Sequence, residues 1–358
     1  MSVLAVINAR FLTQKLTGVQ RFAYEISIRL KENFGDRIVF VSPSTGILDK
    51  TKADMLDALQ VGKLSGYLWE QVELPLWLKQ HNTPPLLSLC SVAPLLYSNN
   101  YIAVHDITWV RYPKTYNWKF RTAYNIMIPM LCKKAKRIIT VSEFSQKEIS
   151  CNYNIPQEKF IVVYNATGDN FKPLQDPSLK EKRYFLAVSS VKENKNFITV
   201  LKAFELLQKE INNIRLYVIG DINDKNFSNI DISKYISNPS ISFLGRVTDE
   251  ELIRYYSNAI GFVFPSLYEG FGIPAIEAQA CGCPVISSNA SSLPEVLNDS
   301  CVFFSPKDME DLAVKMKKFT YNNLLREELV RKGYENVKRF SWENSARIIS
   351  EILKINEK

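Results

Sequence analysis

Histidine is almost missing from this chain: His81 and His105 are the two copies in 358 residues. Cysteine occurs six times without a pattern. Cys90, Cys132, Cys151 and Cys301 stand alone, and Cys281-Gly-Cys283 has neither metal-pair spacing nor a histidine nearby. These scarcities argue against a zinc site and against a disulfide framework, so the thiols are expected reduced and mostly buried. No run approaches the roughly 18 uninterrupted apolar residues of a membrane-spanning helix. The start, Met1-Ser-Val-Leu-Ala-Val-Ile7, lacks the basic flank and cleavage site of a signal peptide and reads as a first buried strand. A cytosolic protein is expected. Low-complexity tracts and short repeats are absent as well.

What is present is an ordinary globular composition, 46% hydrophobic and 12% aromatic, able to offset its ordering entropy by burial. The net charge of +8 is unevenly spread: residues 1–172 hold 21 basic and 13 acidic side chains, whereas residues 173–358 hold 24 of each. One half therefore faces an anionic partner. Short β-rich runs alternate with helix-length amphipathic stretches, the pattern of an α/β chain with parallel sheets. Strands are expected at residues 3–7, 37–41, 101–104, 137–141 and 161–163, then at 184–188, 215–219, 241–243, 259–264, 284–287 and 301–304. The polar segment 170–183, with Pro173 and Pro177, reads as a linker. It sets two Rossmann-like domains, 1–172 and 173–340. Ser341 opens a last amphipathic helix with Trp342, Ala346, Ile349 and Leu353 on one face. Ser145 and Glu148 have capping-box spacing.

The richest stretch is 262–288, which reads strand, loop, helix, turn, strand. In Glu269-Gly270-Phe271-Gly272 the glycines allow close backbone approach, and Pro274 suits the first turn of the helix opened by Ile273. A helix N-terminus at the carboxyl end of a parallel strand is a site for phosphate. Glu277, one turn further on, would accept hydrogen bonds from sugar hydroxyls but repel phosphate. Glycine spacing alone is equally a tight turn with two solvated glutamates.

Glu269 through Glu277, with the trailing Ala-Cys-Gly-Cys-Pro-Val-Ile286 and Ser292-Leu-Pro-Glu-Val296, resembles the E-x7-E region of the family-four retaining glycosyltransferases of GT-B fold. Thr17-Gly18-Val-Gln-Arg21, Val104-His105-Asp106, the 139–145 stretch, Lys195-Asn196, Phe243-Leu-Gly-Arg-Val247 and Phe340-Ser-Trp342 are similar to further family segments, so the likeness extends over nearly the whole chain. It implies two facing Rossmann-like domains, with acceptor bound mainly by the first, activated sugar by the second, and residues 341–358 crossing back to the first. Glu269 and His105 are then the catalytic candidates, with Glu269 positioning sugar hydroxyls and His105 near the reacting carbon. Glu277 falls to the nucleotide ribose. Gly270, Phe271, Gly272 and Ile273, with Lys195, fall to the diphosphate, and Gly18 to a loop over the donor. Ser190 stands where relatives place an arginine, and Arg246 is a candidate to supply that charge. No Asp-x-Asp occurs, so the carboxylate pair that holds a divalent ion in the other major glycosyltransferase fold is missing; no obligatory metal or cofactor is expected. The family's usual chemistry is front-face attack, in which the departing phosphate takes the acceptor proton.

The positive charge concentrates in residues 111–137, which carry eight basic residues, no acidic one, and rings from Tyr112 to Tyr124. Such a mixture suits an anionic lipid surface. Nucleic acid is not expected, for want of any accompanying fold signature. Lys133, Lys134, Lys136 and Arg137 are the expected membrane or acceptor contacts, and Trp69, in Trp69-Glu70-Gln71, either lines the acceptor pocket or packs. The function expected is transfer of a hexose, mannose preferred, from a nucleotide sugar to a growing lipid-linked glycan of O-antigen or capsule synthesis, at the inner membrane face. The alternatives are a GT-B-fold sugar-nucleotide epimerase or phosphorylase, or a silent sugar-nucleotide-binding or membrane-binding scaffold.

Overall fold

The structure is a computed structural model and describes residues 3–188, 192–220 and 233–354. It divides into two compact units, one of Met1–Val110, Trp118–Asn165 and Ser341–Lys358, the other of Arg111–Asn117 and Ala166–Phe340.

In the first unit, β1 (Ala5–Asn8), β2 (Ile38–Pro43), β3 (Leu59–Val61), β4 (Leu86–Ser88), β5 (Asn100–Ala103), β6 (Arg137–Thr140) and β7 (Phe160–Val162) form one sheet in the order β3-β2-β1-β4-β5-β6-β7. Every pair is parallel. The central strands β1, β4 and β5 are buried throughout, as expected of a parallel sheet covered on both faces. In the second unit, β8 (Tyr184–Val188), β9 (Arg215–Ile219), β10 (Ile241–Gly245), β11 (Gly261–Phe264), β12 (Val285–Ser288) and β13 (Cys301–Phe304) form a parallel sheet in the order β10-β9-β8-β11-β12-β13. Its core joins Phe185, Val218, Val263 and Ile286 to Val200, Phe204, Met316 and Phe319 of the flanking helices.

Four sequence expectations need correction. The division falls between Asn165 and Ala166, not at 172, and Arg111–Asn117 groups with the second unit. The segment taken for a linker is docked: Leu174 and Asp176 donate their amides to Ser257 Oγ and Asn258 Oδ1, and Pro177–Lys180 forms one helical turn capped by Asp176. β3 and β4 are additional strands. The helix Glu143–Tyr153 is capped by Ser142, whose Oγ accepts from the Ser145 amide at 3.0 Å, so Ser145 lies inside it.

The closing helix, Trp342–Lys354, buries Trp342, Ala346, Ile349 and Leu353, and Ser341 Oγ accepts from the Asn344 amide at its start. It packs on the helix Gly18–Phe34 of the first unit: Trp342 meets Phe22 at 6.0 Å between ring centres, and Glu343 pairs with Arg29 at 2.7 Å. Ser345 Oγ donates to Tyr164 O.

Candidate functional site

The second sheet reverses its order between β8 and β11, where diverging connections open a crevice at the carboxyl ends of the strands. β11 runs from there into residues 265–272. Gly272 is the N-cap of the helix Ile273–Ala280, with Pro274 in its first turn. Its φ is 109°, and a Cβ would stand 2.7 Å from Leu293 Cδ2, so backbone and close approach both require glycine. Among the described residues no acceptor takes the amides of Gly272 or Ile273, which lie at the positive end of the helix. Gly270 and Phe271 are buried in the same loop.

Side chains brace this loop from behind. Ser292 Oγ, fully buried, lies 3.0 Å from both Glu269 O and Phe271 O, and Ser291 Oγ accepts from the Glu269 amide at 2.9 Å. Asn194 takes the Leu267 amide on its carbonyl and donates Nδ2 to Tyr268 O. Asn196, in the left-handed region at φ 51°, donates to Pro265 O and Pro306 O. These bonds fasten residues 194–196 to the loop and set Lys195 Nζ 2.6 Å from Glu269 Oε1, which also accepts from Ser266 Oγ at 2.6 Å. The lysine expected at the diphosphate and the glutamate expected at the sugar hydroxyls are thus joined as one ion pair. Sequence reasoning missed Ser291 and Asn194 and quoted Ser292 without giving it a role; the Ser-Ser pair ahead of Leu-Pro-Glu295 is the signal that was available. It counted Tyr112 and Tyr116 with the basic, lipid-facing stretch, whereas the Tyr112 ring is 6.0 Å from that of Tyr268 and Tyr116 lies under Lys192 Nζ at 5.2 Å. Glu277 is buried on the helix. Arg246 is exposed directly after β10. Ser190 lies outside the described residues.

In the first unit His105 follows β5 by two residues and is buried, with Nε2 donating to Leu89 O at 3.0 Å and the Phe22 ring edge-on at 4.9 Å. Because the carbonyl can only accept, Nε2 carries the proton and Nδ1 is left as an acceptor. Burial holds the imidazole pKa below its ordinary value, against the opposing pull of Leu89 O and Asp106. Asp106 itself accepts from the Thr108 amide and hydroxyl. Gly18 is the first residue of its helix rather than part of a loop before it. Of the two readings of Trp69, packing fits its place: it is fully buried, Nε1 donates to Val61 O at 2.8 Å, and it packs with Val6, Leu74, Leu78 and Leu86, which argues against its lining an acceptor pocket. Lys133, Lys134, Lys136 and Arg137 are all exposed, Lys134 and Arg137 also donating to Leu95 O and Glu158 O. No group of three or more metal-ligating side chains clusters among the described residues, and no described helix is long and apolar enough to cross a membrane.

Residues 16–168 match the family Glycosyltransferase Family 4, and residues 171–336 match Glycosyl transferases group 1. Over 254 residues the chain is 31% identical to O-antigen chain mannosyltransferase B of Escherichia coli, covering 67% of this chain and 66% of that protein. It is 32% identical to O-antigen chain mannosyltransferase RfbU of Salmonella typhimurium over 64% of this chain and 60% of that protein. The chain thus spans less than two thirds of either relative's length. Among solved structures, Anabaena Alr3699/HepE in complex with UDP and glucose aligns with a TM-score of 0.75 at 15% identity, over 98% of this chain and 99% of that one. The fold is accordingly of the GT-B type. With its two halves carrying the two matched domains in order, the chain belongs to the family-4 and group-1 glycosyltransferases.

Proposed function

We propose that the protein is a retaining, metal-independent glycosyltransferase that moves a hexose, mannose preferred, from a nucleotide sugar to a growing lipid-linked glycan of a bacterial surface polysaccharide. The observation that carries this is the juxtaposition of open amides at Gly272 and Ile273 with the Lys195–Glu269 pair at the β8/β11 crevice. A nucleotide sugar joins a diphosphate to a ring of hydroxyls, and it needs cation, amides and carboxylate side by side. On binding, the diphosphate takes Lys195 and the loop amides. Glu269, released from the lysine, accepts from sugar hydroxyls, and Glu277 serves the ribose. Lys195 and the amides then stabilise the charge that grows on the departing phosphate. Arg246 adds a further cation on this side. Neutral His105, its proton fixed on Nε2, offers Nδ1 as acceptor to a hydroxyl.

The names of the two relatives favour mannose, while the UDP held by the Anabaena protein supports a nucleotide-diphosphate donor. Association with the inner membrane face is supported by the helix Trp118–Lys134. It exposes Trp118, Ile126 and Met130, spaced by multiples of four, and ends at Lys133 and Lys134. Glu269→Ala is expected to abolish transfer while the circular dichroism spectrum stays that of the wild type; wild-type turnover in that variant would sink the assignment. The donor is found by thermal shift against a panel of nucleotide sugars, since the true donor stabilises by mass action. Activity in excess chelator is expected to be undiminished, and a loss restored by magnesium contradicts the metal-independent chemistry.

A further inference from the structure

The first unit holds a buried charged pair that no step above uses. Glu70 is 1% exposed, yet its Oε2 has no hydrogen-bond partner among the described residues. The other carboxylate oxygen accepts from Asn8 Nδ2 at 2.6 Å and lies 3.1 Å from Arg10 Nε, a nitrogen that likewise has no hydrogen-bond acceptor there. Leaving a carboxylate oxygen buried and unmatched is costly, so Glu70 calls for a donor that the described residues do not supply and that a bound ligand would.

Its place in the fold is informative. The order of the first sheet reverses between β1 and β4, just as that of the second does at β8 and β11. Asn8 ends β1 and Ser88 ends β4, and their side chains stand 3.5 Å apart. One residue beyond Ser88, Leu89 O holds His105. Glu70 arrives on a π-helical stretch, Trp69–Glu73, a rare widening of the helix that recurs at functional sites. Trp69 is locked in the core on one side of it. Gln71, on the other, bonds Ala93 O and the Leu95 amide. Beside the pair stands a neighbour, Tyr67, 45% exposed, whose ring centre is 4.8 Å from the Arg10 guanidinium carbon.

We propose that Glu70, Arg10 and Tyr67 form a subsite for a neutral sugar ring of the acceptor, Glu70 Oε2 accepting from one of its hydroxyls, Arg10 donating, and the Tyr67 ring lying against the sugar face. This rests on the reading that the acceptor is a glycan. Glu70 repels an anion and Arg10 repels a cation, whereas a hydroxyl donates and accepts at once and satisfies both. A ligand lacking that hydroxyl leaves the pair unmatched, which makes the subsite selective.

The test is ligand-observed NMR on the full chain with methyl α-mannoside, methyl α-glucoside and methyl α-galactoside, alongside separate titrations with UDP and GDP. Wild type is expected to bind at least one glycoside. Glu70→Gln and Tyr67→Ala are each expected to weaken it roughly tenfold or more with nucleotide affinity unchanged. Glycoside binding unaltered in Glu70→Gln overturns the proposal, as does a wild type that binds no glycoside. If Glu70→Gln fails to fold, Tyr67→Ala, at a half-exposed position, decides by the same criterion. A wild type that binds glycoside but neither nucleotide refutes the donor site instead and leaves the subsite standing.

Discussion

A histidine in a chain with two of them can be a reagent or a core residue, and its partners decide how it can act. His105 is buried beside Phe22 with one nitrogen committed to Leu89 O, so it is a neutral acceptor and not an acid. Its pKa is depressed by burial, so between the folded value and the unfolded value of about 6.5 the unfolded chain binds more protons. Stability therefore rises with pH across that window and is lost as pH falls through it. His105→Asn is expected to flatten this part of the profile, measured as the thermal midpoint at a series of pH values from neutral downward. An unchanged slope means the ring binds its proton alike in the folded and unfolded chain. Trp69 illustrates the opposite outcome: the Trp-Glu-Gln string pointed to the acceptor half, but its indole is spent on packing and on Val61 O, and the chemically open group is the neighbour, Glu70.

Among the elements, the helix Ile273–Ala280 and its entry loop were the most legible, because glycine, proline and glutamate there each answer a separate backbone or charge requirement. Gly272→Ala tests this. A side chain at φ 109° that also meets Leu293 is expected to cost about 1–3 kcal/mol. It should also weaken donor binding by displacing the Gly272 and Ile273 amides, read by chemical denaturation and by nucleotide titration. A stability equal to that of the wild type would mean the loop is looser than its geometry. All six strands of the second unit were visible as apolar runs. β3 and β4 were not, being three residues each: β3 is an edge strand with Leu59 and Gln60 exposed, and β4 follows Pro84-Pro85. Strands that short carry no periodicity to read, and β7, equally short, showed only as the β-branched run Ile161-Val162-Val163. The cap at Ser142 was misplaced by three residues because Ser142 and Ser145 both suit an N-cap, and only the hydrogen bond to the Ser145 amide separates them.

Over the whole molecule the basic excess belongs to the first half of the sequence, where the exposed cations Lys133 and Lys134 end, and Lys136 and Arg137 follow, a helix with an exposed Trp118–Ile126–Met130 stripe. Replacing all four by alanine is expected to weaken binding to anionic liposomes, read by sedimentation, by up to about a thousandfold, each cation near a surface being worth about 1 kcal/mol, while donor binding stays unchanged. Equal sedimentation would leave the patch a solvated surface. The family resemblance implied the return of the last helix to the first unit; the sequence by itself determined the α/β class, the pairing of a neutral half with a basic half and the glycine turn into the helix at Ile273. Each of these rests on local pattern, apolar period or residue type at fixed spacing. Only the tertiary structure decided that Lys195 and Glu269 pair, that Ser291, Ser292 and Asn194 brace the loop, that Trp69 is core and that Glu70 keeps an unmatched oxygen. Those facts depend on side chains tens of residues apart meeting at strand ends, and which side chains meet there is set by the order of strands in the sheet.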